Sequence, residues 1–388
     1  MHFLGTSWRE RDPSETLSLV EPHLVSLGIC KFIEYKSAEE IYIFEAVRNN
    51  AYSGYLNLGK GFSSIAAKAS ATMEAVEMSL VEVPQITGRL LKINYDKVIR
   101  FHKPNKISLP KILESEAKIL SGINLTSGLT CNVLENDVFF PNAYLSGSPL
   151  KGLTNGLASG NTLYEAILHG IYELIERDAI YKAYYKNREP KSFCPLSLND
   201  IDILKIYESL DSQGIRLELK LLESSISSAI VVESSVYIPD SNSNYCQYKG
   251  WGCDVDSIIA SRRAIAEAIQ VRRITEEIKN EFIAGSRRPG GFVISSEYYN
   301  EVAKAQLLYQ PLEYWTLRGL TLEPCCFPGR LTSSSSEQQI PELLVRRILD
   351  ELYASIMASV YCVKLSPEIF PVYVVRCFSP HLDRPPFL

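Results

Sequence analysis

Pairs of glutamate or glutamine residues recur at a fixed distance from a preceding glycine or aspartate in three parts of the chain. Gly61 and Gly160 are each followed by a glutamate thirteen residues later and by another sixteen residues later. Asp254 is followed at the same two distances by a glutamate and a glutamine. Carboxylates without a matching set of histidines and cysteines are typical ligands of Mg²⁺. The side chains concerned are Glu74 and Glu77, Glu173 and Glu176, and Glu267 and Gln270.

The spacing gives each predicted helix one acidic face, because residues three or four positions apart lie on the same side of an α-helix. On the second helix Glu165, Glu173 and Glu176 form one stripe and the opposite side is apolar. A solvated helix face would explain any single pair, but three helices with one spacing favour a shared site. Since like charges on a stripe repel one another, we expect a cation to bind there.

Basic residues near the acidic helices are candidates for binding phosphate, which normally accompanies Mg²⁺. Lys60 lies just before the first repeat glycine, and Arg177 directly follows the second acidic pair. Arg263 shares one face of the third helix with Glu267 and Gln270. Charge-assisted hydrogen bonds from such side chains suit phosphate oxygens. The pattern therefore predicts a site for Mg²⁺ together with a phosphate compound.

Hydrophobic periodicity predicts the elements that carry these residues. Helices are expected over residues 63–83, 162–185, 256–282 and 341–360, a strand pair over 29–46, and a strand over 372–378. A further helix is expected to begin at Ser14 or Thr16 and to end at Gly28. The repeats are separated by 99 and 94 residues, which are domain-like intervals. Helices and strands without regular short alternation favour an α+β fold built from three related units.

Composition narrows the functional class. The chain has 388 residues, a formal charge of -5 and nine cysteines without a CxxC pair. The lack of a basic excess argues against nucleic acid as a partner. No apolar run approaches the roughly 20 residues of a membrane helix, and charges begin at Arg9, before a signal peptide could form. Scattered cysteines without a signal peptide indicate reduced thiols, so we expect a cytoplasmic protein without a membrane partner.

Familiar nucleotide-binding and hydrolase motifs are missing from the sequence. Residues 59–64 do not have the GxxxxGK[ST] spacing of a P-loop, and the motifs HRD, DFG, GxSxG and HExxH are absent. The five histidines show no metal-ligand spacing. P-loop enzymes, protein kinases, serine hydrolases and zinc peptidases are therefore disfavoured. An unrelated ATP-dependent ligase or small-molecule kinase stays open.

Four motifs, in the expected order, resemble those of the YcaO family. Residues 59–61 (GKG) and 69–77 (ASATMEAVE) are similar to the family's GKG…ASALMEAIER. Residues 156–178, which begin GLASGNT and end YELIERD, resemble its SGLAAGNTLEEAILHALYELIERDA. Residues 263–272 (RAIAEAIQVR) are similar to RALTEAAQSR, and residues 9–17 match the opening R-x-x-x-P-x-x-T-L. The resemblance thus extends over nearly the whole chain.

The resemblance implies a YcaO-like fold in which three related α/β units surround a central Mg-ATP site. Members of the family phosphorylate the oxygen of a peptide-bond amide. For this chain the favoured activity is cyclodehydration of Cys, Ser or Thr in a ribosomally synthesised peptide to azolines. Thioamide formation with an external sulfur donor is an alternative. A non-catalytic scaffold is another, because Met78 replaces an arginine of the family motif and residues 384–388 lack a Pro-x-Pro-x-Pro pattern.

The resemblance implies roles for particular residues, and helix geometry supports the stripe of Glu165, Glu173 and Glu176. The predicted metal ligands are Glu74, Glu77, Glu165, Glu173 and Glu176. The predicted cofactor-binding residues are Arg9, Thr16, Lys60, Asn161, Arg177, Arg263 and Gln270. Arg177 and Lys60 are also the expected catalytic residues, since cations at the phosphates stabilise developing charge.

The resemblance also implies partners and a domain organisation. A precursor peptide is the expected substrate. Since no leader-binding domain precedes Arg9, we expect a separate partner for peptide recognition, either an E1-like or ocin-ThiF-like protein or a TfuA-type protein. A homodimer is left open. Residues 1–58 are expected to form an N-terminal α/β segment and residues 59–388 the catalytic core, most simply within one continuous YcaO domain.

Overall fold

The computed structural model of the chain describes residues 1–35, 40–49, 51, 56–82, 98–99, 119–139, 154–239, 245–283, 327 and 340–385. Its helices are α1 (Pro13–Val20), α2 (Ser64–Glu82), α3 (Glu135–Val138), α4 (Leu163–Tyr185), α5 (Ile201–Ser212), α6 (Ser257–Ile283) and α7 (Pro341–Ile356). Its strands are β1 (His2–Phe3), β2 (Trp8–Arg9), β3 (Ile29–Tyr35), β4 (Tyr42–Arg48), β5 (Leu58–Gly61), β6 (Val98–Ile99), β7 (Ile119–Asn124), β8 (Thr130–Leu134), β9 (Leu157–Gly160), β10 (Lys191–Phe193), β11 (Arg216–Leu222), β12 (Ile230–Pro239), β13 (Tyr245–Asp254), β14 (Tyr361–Lys364) and β15 (Tyr373–Phe378).

In the described part of the chain these strands form three sheets and a short hairpin. Strands β3–β4–β5 and β10–β11–β12–β13 form two antiparallel sheets in chain order. The third sheet has the order β6–β8–β7–β14–β15–β9, so C-terminal strands lie between strands from earlier in the chain. β1 pairs with β2. The predicted α+β class is confirmed. The predicted boundary between residues 58 and 59 lies inside β5, so the segments on either side of it share one sheet.

A strand followed by a long helix occurs three times, as β5–α2, β9–α4 and β13–α6. A polar side chain near the start of each helix accepts a backbone hydrogen bond from its first turn. The acceptors are Ser63, Thr162 and Asp256, with donor–acceptor distances of 3.3, 3.2 and 2.9 Å. Each acceptor lies two residues after the first residue of the repeat spacing. Such caps satisfy free N–H groups at a helix start, so each helix begins in the same register relative to its strand.

Glycines let each of these strands lie directly against its own helix. A Cβ atom on Gly59 would be 2.2 Å from the Ala67 carbonyl oxygen, and one on Gly252 would be 2.2 Å from that of Ala260. In both units the alanine lies eight residues after the glycine. A Cβ atom on Gly160 would be 2.4 Å from the Ala166 backbone nitrogen. In each unit, at least one strand glycine therefore lies so close to the helix that a larger residue would not fit there.

Helix α4 divides its residues between an apolar core and the predicted acidic stripe. Ile167, Ile171 and Ile175 are buried in an apolar cluster that includes Leu349 of α7 and Val375 of β15. The helix packs against β9, β15 and α7. The apolar side predicted from the sequence is therefore confirmed as core, which leaves the opposite side for a site.

Several predicted elements are confirmed and one is wrong. The long helices and the strand pair are present, the last long helix ending at Ile356. The predicted helix over 13–28 ends at Val20 and continues only as a short 3₁₀ turn, because Pro22 lacks the N–H that an α-helix needs. Its N-cap is Asp12, which accepts a hydrogen bond from Ser14 N at 2.9 Å. Within the described ranges, no helix is both long and apolar enough to cross a membrane.

We predict that Gly250→Ala strongly destabilises the fold. A Cβ atom at this position would be 2.3 Å from the Ala268 backbone nitrogen and 2.4 Å from the Ala264 carbonyl oxygen. Forcing β13 away from α6 should lower the free energy of unfolding by about 3 kcal/mol, measured by urea denaturation. Gly128→Asn is the control, because a Cβ atom there meets nothing within 4 Å and asparagine tolerates its positive φ. Equal stabilities of the two variants would contradict the close packing.

Candidate functional site

One cavity of about 330 Å³ collects nearly all of the predicted site residues. Those that line it are Arg9, Thr16, Lys60, Glu74, Glu77, Asn161, Glu165, Glu173, Glu176, Arg177 and Arg263. Gln270 is not among the lining residues. Its side chain is buried, and its Nε2 atom has no hydrogen-bond partner among the described residues. The cavity thus unites residues from the N-terminal segment and from all three strand–helix units.

The three units contribute equivalent side chains to the cavity. Glu74 of α2, Glu173 of α4 and Glu267 of α6 occupy the same position of the repeat, and all three line it. Glu267 was part of the repeat pattern but was not among the predicted site residues. Its identical offset from the start of the unit was the signal that could have identified it.

Lys60 joins the first and third units at the cavity. Its Nζ atom is 2.7 Å from Glu267 Oε2, although the two residues are 207 positions apart in the chain. Both side chains are about one-quarter exposed. Lys60 therefore already contacts a carboxylate, and its ammonium group lies where a phosphate oxygen could replace or share that partner.

Arg177 lies beside the two carboxylates of α4 that precede it. Its guanidinium nitrogens are 3.6 Å from Glu173 Oε1 and 3.8 Å from Glu176 Oε1. Both distances exceed those of a direct hydrogen bond. The arginine compensates the acidic stripe electrostatically, and its side chain lines the same cavity.

Glu165 is the most extensively bonded carboxylate of the predicted set. Its Oε1 atom accepts hydrogen bonds from Arg9 Nη1 and from the backbone and side chain of Asn161, each at 3.1 Å. Its Oε2 atom accepts one from Glu10 N at 3.0 Å. Asn161 in turn accepts a 2.8 Å hydrogen bond from Thr16 Oγ1. A metal ion at Glu165 would compete with these donors, and the side chain of Arg9 is one-quarter exposed, whereas Asn161 is buried.

Burial raises the pKa of several carboxyl groups in the cavity. It raises the pKa of Glu74 to about 8, and the nearby charge of Glu77 adds to the effect. Burial also raises the pKa of Glu77 to about 7, although hydrogen bonds from Ser159 lower it. It raises the pKa of Glu176 to about 7 as well, although the charge of Arg177 lowers it. A positive ion bound among these groups would reverse the shifts.

Two other ionisable groups of the cavity behave differently. Burial opposes ionisation of Glu267, but the charges of Lys60, Arg177 and Arg263 outweigh it and lower the pKa of that carboxyl. Burial and the charges of Arg9 and Arg263 hold the pKa of His169 well below its usual range. The imidazole is therefore neutral at physiological pH, and the carboxyl of Glu267 stays ionised beside Lys60, Arg177 and Arg263.

The donor set suits Mg²⁺ accompanied by a phosphate ligand. Six glutamates and five basic side chains line the cavity. Within the described ranges, no three His, Cys, Asp or Glu side chains are close enough together to hold a metal ion unaided. Mg²⁺ rarely needs such a cluster, because it keeps several waters and is held by one or two carboxylates plus phosphate oxygens. The residues present therefore fit a metal that arrives with a nucleotide.

Glu77 has a positive charge nearby even though position 78 is methionine instead of arginine. The methionine is buried in an apolar cluster with Val20 and Leu157, which explains why this position lacks an arginine. The charge of Arg9 acts on Glu77 instead and lowers its pKa in opposition to burial. The N-terminal segment therefore supplies a cation close to the acidic face of α2.

Sequence reasoning missed several further lining residues. Leu4, Thr6 and Ser7 come from the N-terminal segment. No periodic pattern marks them, because a chain segment that crosses a cavity has no repeating face. Ser159, which hydrogen-bonds to Glu77, occupies the same repeat position as Lys60, and that correspondence was the available signal.

Comparisons with known proteins point to one family. A family described as ATP- and Mg²⁺-binding YcaO cyclodehydratases matches residues 58–383. An uncharacterized protein in the tfuA 3′ region of Rhizobium leguminosarum bv. trifolii is 27% identical over 395 residues, covering 96% of this chain and 87% of the relative. An uncharacterized protein of Methanothermobacter thermautotrophicus is 31% identical over 278 residues, covering 67% of this chain and 69% of the relative.

Solved structures share the fold. YcaO from Methanopyrus kandleri bound with AMPPCP and Mg²⁺ superposes with a TM-score of 0.68 at 20% identity, covering 97% of this chain and 93% of that protein. A heterocyclase in complex with substrate and cofactor gives 0.73 at 16% identity, covering 98% of this chain and 54% of the heterocyclase. The E. coli microcin synthetase McbBCD complex gives 0.60 at 14% identity, covering 90% and 87%.

We predict that Mg²⁺ stabilises the protein more as the pH rises. The pKa of Glu74 is raised from 4.5 to about 8 in the folded protein. At pH values between these two, Glu74 keeps its proton in the folded protein but has lost it in the unfolded chain. The ligand-free protein should therefore lose stability as the pH rises through that window. Mg²⁺ binds the ionised form, so the increase in Tm that it causes should grow from about pH 6 to about pH 8.5.

Glu74→Gln and Glu342→Gln provide the comparison for this prediction. The first variant mimics the protonated carboxyl, so its Tm without Mg²⁺ should exceed that of the wild type at high pH and respond less to the metal. The second removes a partly exposed glutamate of α7 that does not line the cavity, so the dependence of its Tm on pH and Mg²⁺ should match that of the wild type. A metal-induced shift that is larger at low pH would contradict the proposed protonation.

Proposed function

Because this chain belongs to the YcaO family, we propose that it activates the oxygen of a peptide-bond amide by ATP-dependent phosphorylation. ATP and Mg²⁺ are its cofactors. The observation that carries the proposal is the convergence of carboxylates from three units and basic side chains on one cavity. A negatively charged triphosphate and its metal need both kinds of group within a few ångströms of one another.

The proposed roles follow from where the side chains lie. Glu74, Glu77, Glu173 and Glu176 are proposed to bind Mg²⁺, with one or two of them at any one ion together with phosphate oxygens. Glu165 joins them if Arg9 is displaced from its oxygen. Bound Mg²⁺ would neutralise the triphosphate and the charge that develops on transfer. Remaining contacts with the nucleotide come from a second set of residues. These are Arg9, Thr16, Lys60, Asn161, Arg177 and Arg263, whereas Gln270 lies outside the cavity lining.

Lys60 and Arg177 are proposed to act on the transferred phosphoryl group. A nucleophile adds to the amide carbon and leaves an oxyanion, which attacks the γ-phosphate and releases ADP. Collapse of the adduct then expels phosphate with the former amide oxygen. Cations held in place at the phosphoryl oxygens stabilise charge on this path without moving when it forms.

The nucleophile is proposed to come from outside the enzyme. No cysteine is among the cavity-lining residues in the described part of the chain. In cyclodehydration the nucleophile is a Cys, Ser or Thr side chain of the substrate peptide, and the product is an azoline. We favour this reaction because the substrate then supplies every atom except the phosphoryl group.

Thioamide formation is the second candidate. It needs sulfide from a donor, and delivery of a reactive sulfur species calls for a partner protein. The Rhizobium relative lies in the tfuA 3′ region, which makes a TfuA-type protein a candidate for that partner. An E1-like or ocin-ThiF-like protein that presents the precursor peptide would accompany the cyclodehydration reaction instead.

We predict that Glu173→Gln/Glu176→Gln abolishes binding of Mg-ATP without unfolding the protein. Both carboxylates lie on the cavity side of α4, so their neutral isosteres remove metal ligands and leave the apolar core intact. Isothermal titration calorimetry measures the loss, and circular dichroism verifies the fold. Glu276→Gln/Glu277→Gln is the matched control, because this glutamate pair on α6 forms ion pairs with neighbouring arginines outside the cavity. Normal nucleotide binding by the first variant would refute its assignment.

Mass spectrometry of a cognate precursor peptide distinguishes the reactions. With ATP, Mg²⁺ and the partner protein, azoline formation removes one water from the peptide, and thioamide formation exchanges one oxygen for sulfur. A stable phosphoryl adduct would indicate a kinase, and an unmodified peptide without phosphate release would indicate a scaffold. We expect loss of water together with one phosphate released for each modified residue.

A further inference from the structure

The first twelve residues of the chain, here called the N-terminal strap, extend along one wall of the cavity. Leu4, Thr6, Ser7, Arg9 and Arg11 all line it. The strap contains the β1–β2 hairpin, in which the Phe3 and Trp8 rings lie 5.1 Å apart. Because so short a hairpin has little core of its own, other parts of the protein must hold it in place.

One end of the strap is attached to the second strand–helix unit. Arg9 and the backbone N–H of Glu10 both donate to the carboxylate of Glu165, at 3.1 and 3.0 Å. These contacts belong to the site described above. They fix the strap only where it enters α1, so they do not explain the position of residues 2–8.

The other end of the strap is attached to the third unit through Arg262 of α6. Its Nη1 atom donates to the carbonyl oxygen of Gly5 at 3.3 Å. Its guanidinium carbon lies 5.5 Å from the centre of the Phe3 ring and 5.2 Å from that of the Phe62 ring. Gly5 has a φ of +83°, and a Cβ atom there would be 2.9 Å from Phe62 Cβ. The guanidinium group therefore contacts both the strap and the loop that leads into α2.

Arg262 is itself held rigidly from a third direction. Its Nη2 atom is 2.7 Å from both Asp200 Oδ2 and Asp202 Oδ2, and its side chain is only 6% exposed. Asp200 also caps α5 by accepting a hydrogen bond from Ile203 N. Charge-assisted hydrogen bonds of this kind fix the plane of a guanidinium group and so fix which faces it offers to aromatic rings.

We propose that Arg262 is a positioning residue that holds the N-terminal strap over the cavity and thereby sets the place of Arg9 in the nucleotide site. Arg262 is not among the cavity-lining residues, so it acts through the strap and not on the ligand. The proposal rests on the proposed nucleotide function of the cavity. It adds that nucleotide affinity depends on an ion-paired arginine outside the cavity.

Hydrogen exchange of the ligand-free protein tests the anchoring directly. Arg262→Lys keeps the positive charge between Asp200 and Asp202 but lacks the planar fork, and Phe3→Ala removes a ring and leaves those ion pairs intact. In both variants the amides of residues 2–9 should exchange roughly tenfold faster. Arg262→Lys loses the charge-assisted hydrogen bond to Gly5, and Phe3→Ala loses the ring contacts with Arg262 and Trp8. Arg346→Gln, at an exposed site on α7, should leave their exchange unchanged. Unchanged exchange in the first two variants would overturn the proposal.

Steady-state kinetics and calorimetry then test the link to the nucleotide. Both variants should raise the KM and Kd for Mg-ATP by roughly tenfold with kcat within about twofold of wild type, because the strap orders the site without touching the reacting atoms. Phe3→Tyr keeps the aromatic ring, so its KM and Kd for Mg-ATP should equal those of the wild type. Faster exchange with an unchanged Kd would overturn the proposal, as would an equal loss in Phe3→Tyr. Failure of the wild-type protein to bind Mg-ATP would instead refute the proposed function, and the exchange experiment would still decide the anchoring.

Discussion

The concentration of carboxylates in one buried cavity is the constraint on which the site depends. Burial raises the pKa of Glu74 and Glu77 far above that of a free glutamate, and the charges of neighbouring carboxylates add to the effect. Such an arrangement is costly in the ligand-free protein, so it is stable only because the surrounding fold is rigid and because cations lie nearby. The protein supplies part of that positive charge through Lys60 and Arg177, and a metal ion would supply the rest.

Rigidity comes from the repeated contact between each strand and the helix that follows it. Gly59 and Gly252 each lie against a backbone carbonyl eight residues ahead, and a polar side chain fixes the first turn of each helix. A helix held in this way presents the same face to the cavity in every unit. The acidic positions of the three helices consequently meet, although they arise from chain segments almost one hundred residues apart. Longer-range ion pairs such as Lys60–Glu267 then join one unit to the next.

Prediction from the sequence was accurate where the signal was local and periodic. The three acidic helices, the apolar side of α4 and the strand pair at 29–46 follow from helix and strand periodicity, and the structure has them. The helix predicted over 13–28 fails because Pro22 ends it early, a local cue that was outweighed by the apolar pattern. Gln270 illustrates a different limit. It shares a repeat position with Glu77 and Glu176, but α6 does not bring it to the cavity.

The sequence by itself determined the family, the α+β class and the residue types from which a Mg-ATP site is built, because motif order and helix periodicity are properties of neighbouring residues. Only the tertiary structure decided which of these residues share a cavity, that Glu267 contacts Lys60, and that Met78 packs into the core. It alone placed the N-terminal strap beside the site and Arg262 behind the strap. Contacts across hundreds of residues depend on how the units pack, and packing leaves no periodic trace in the chain.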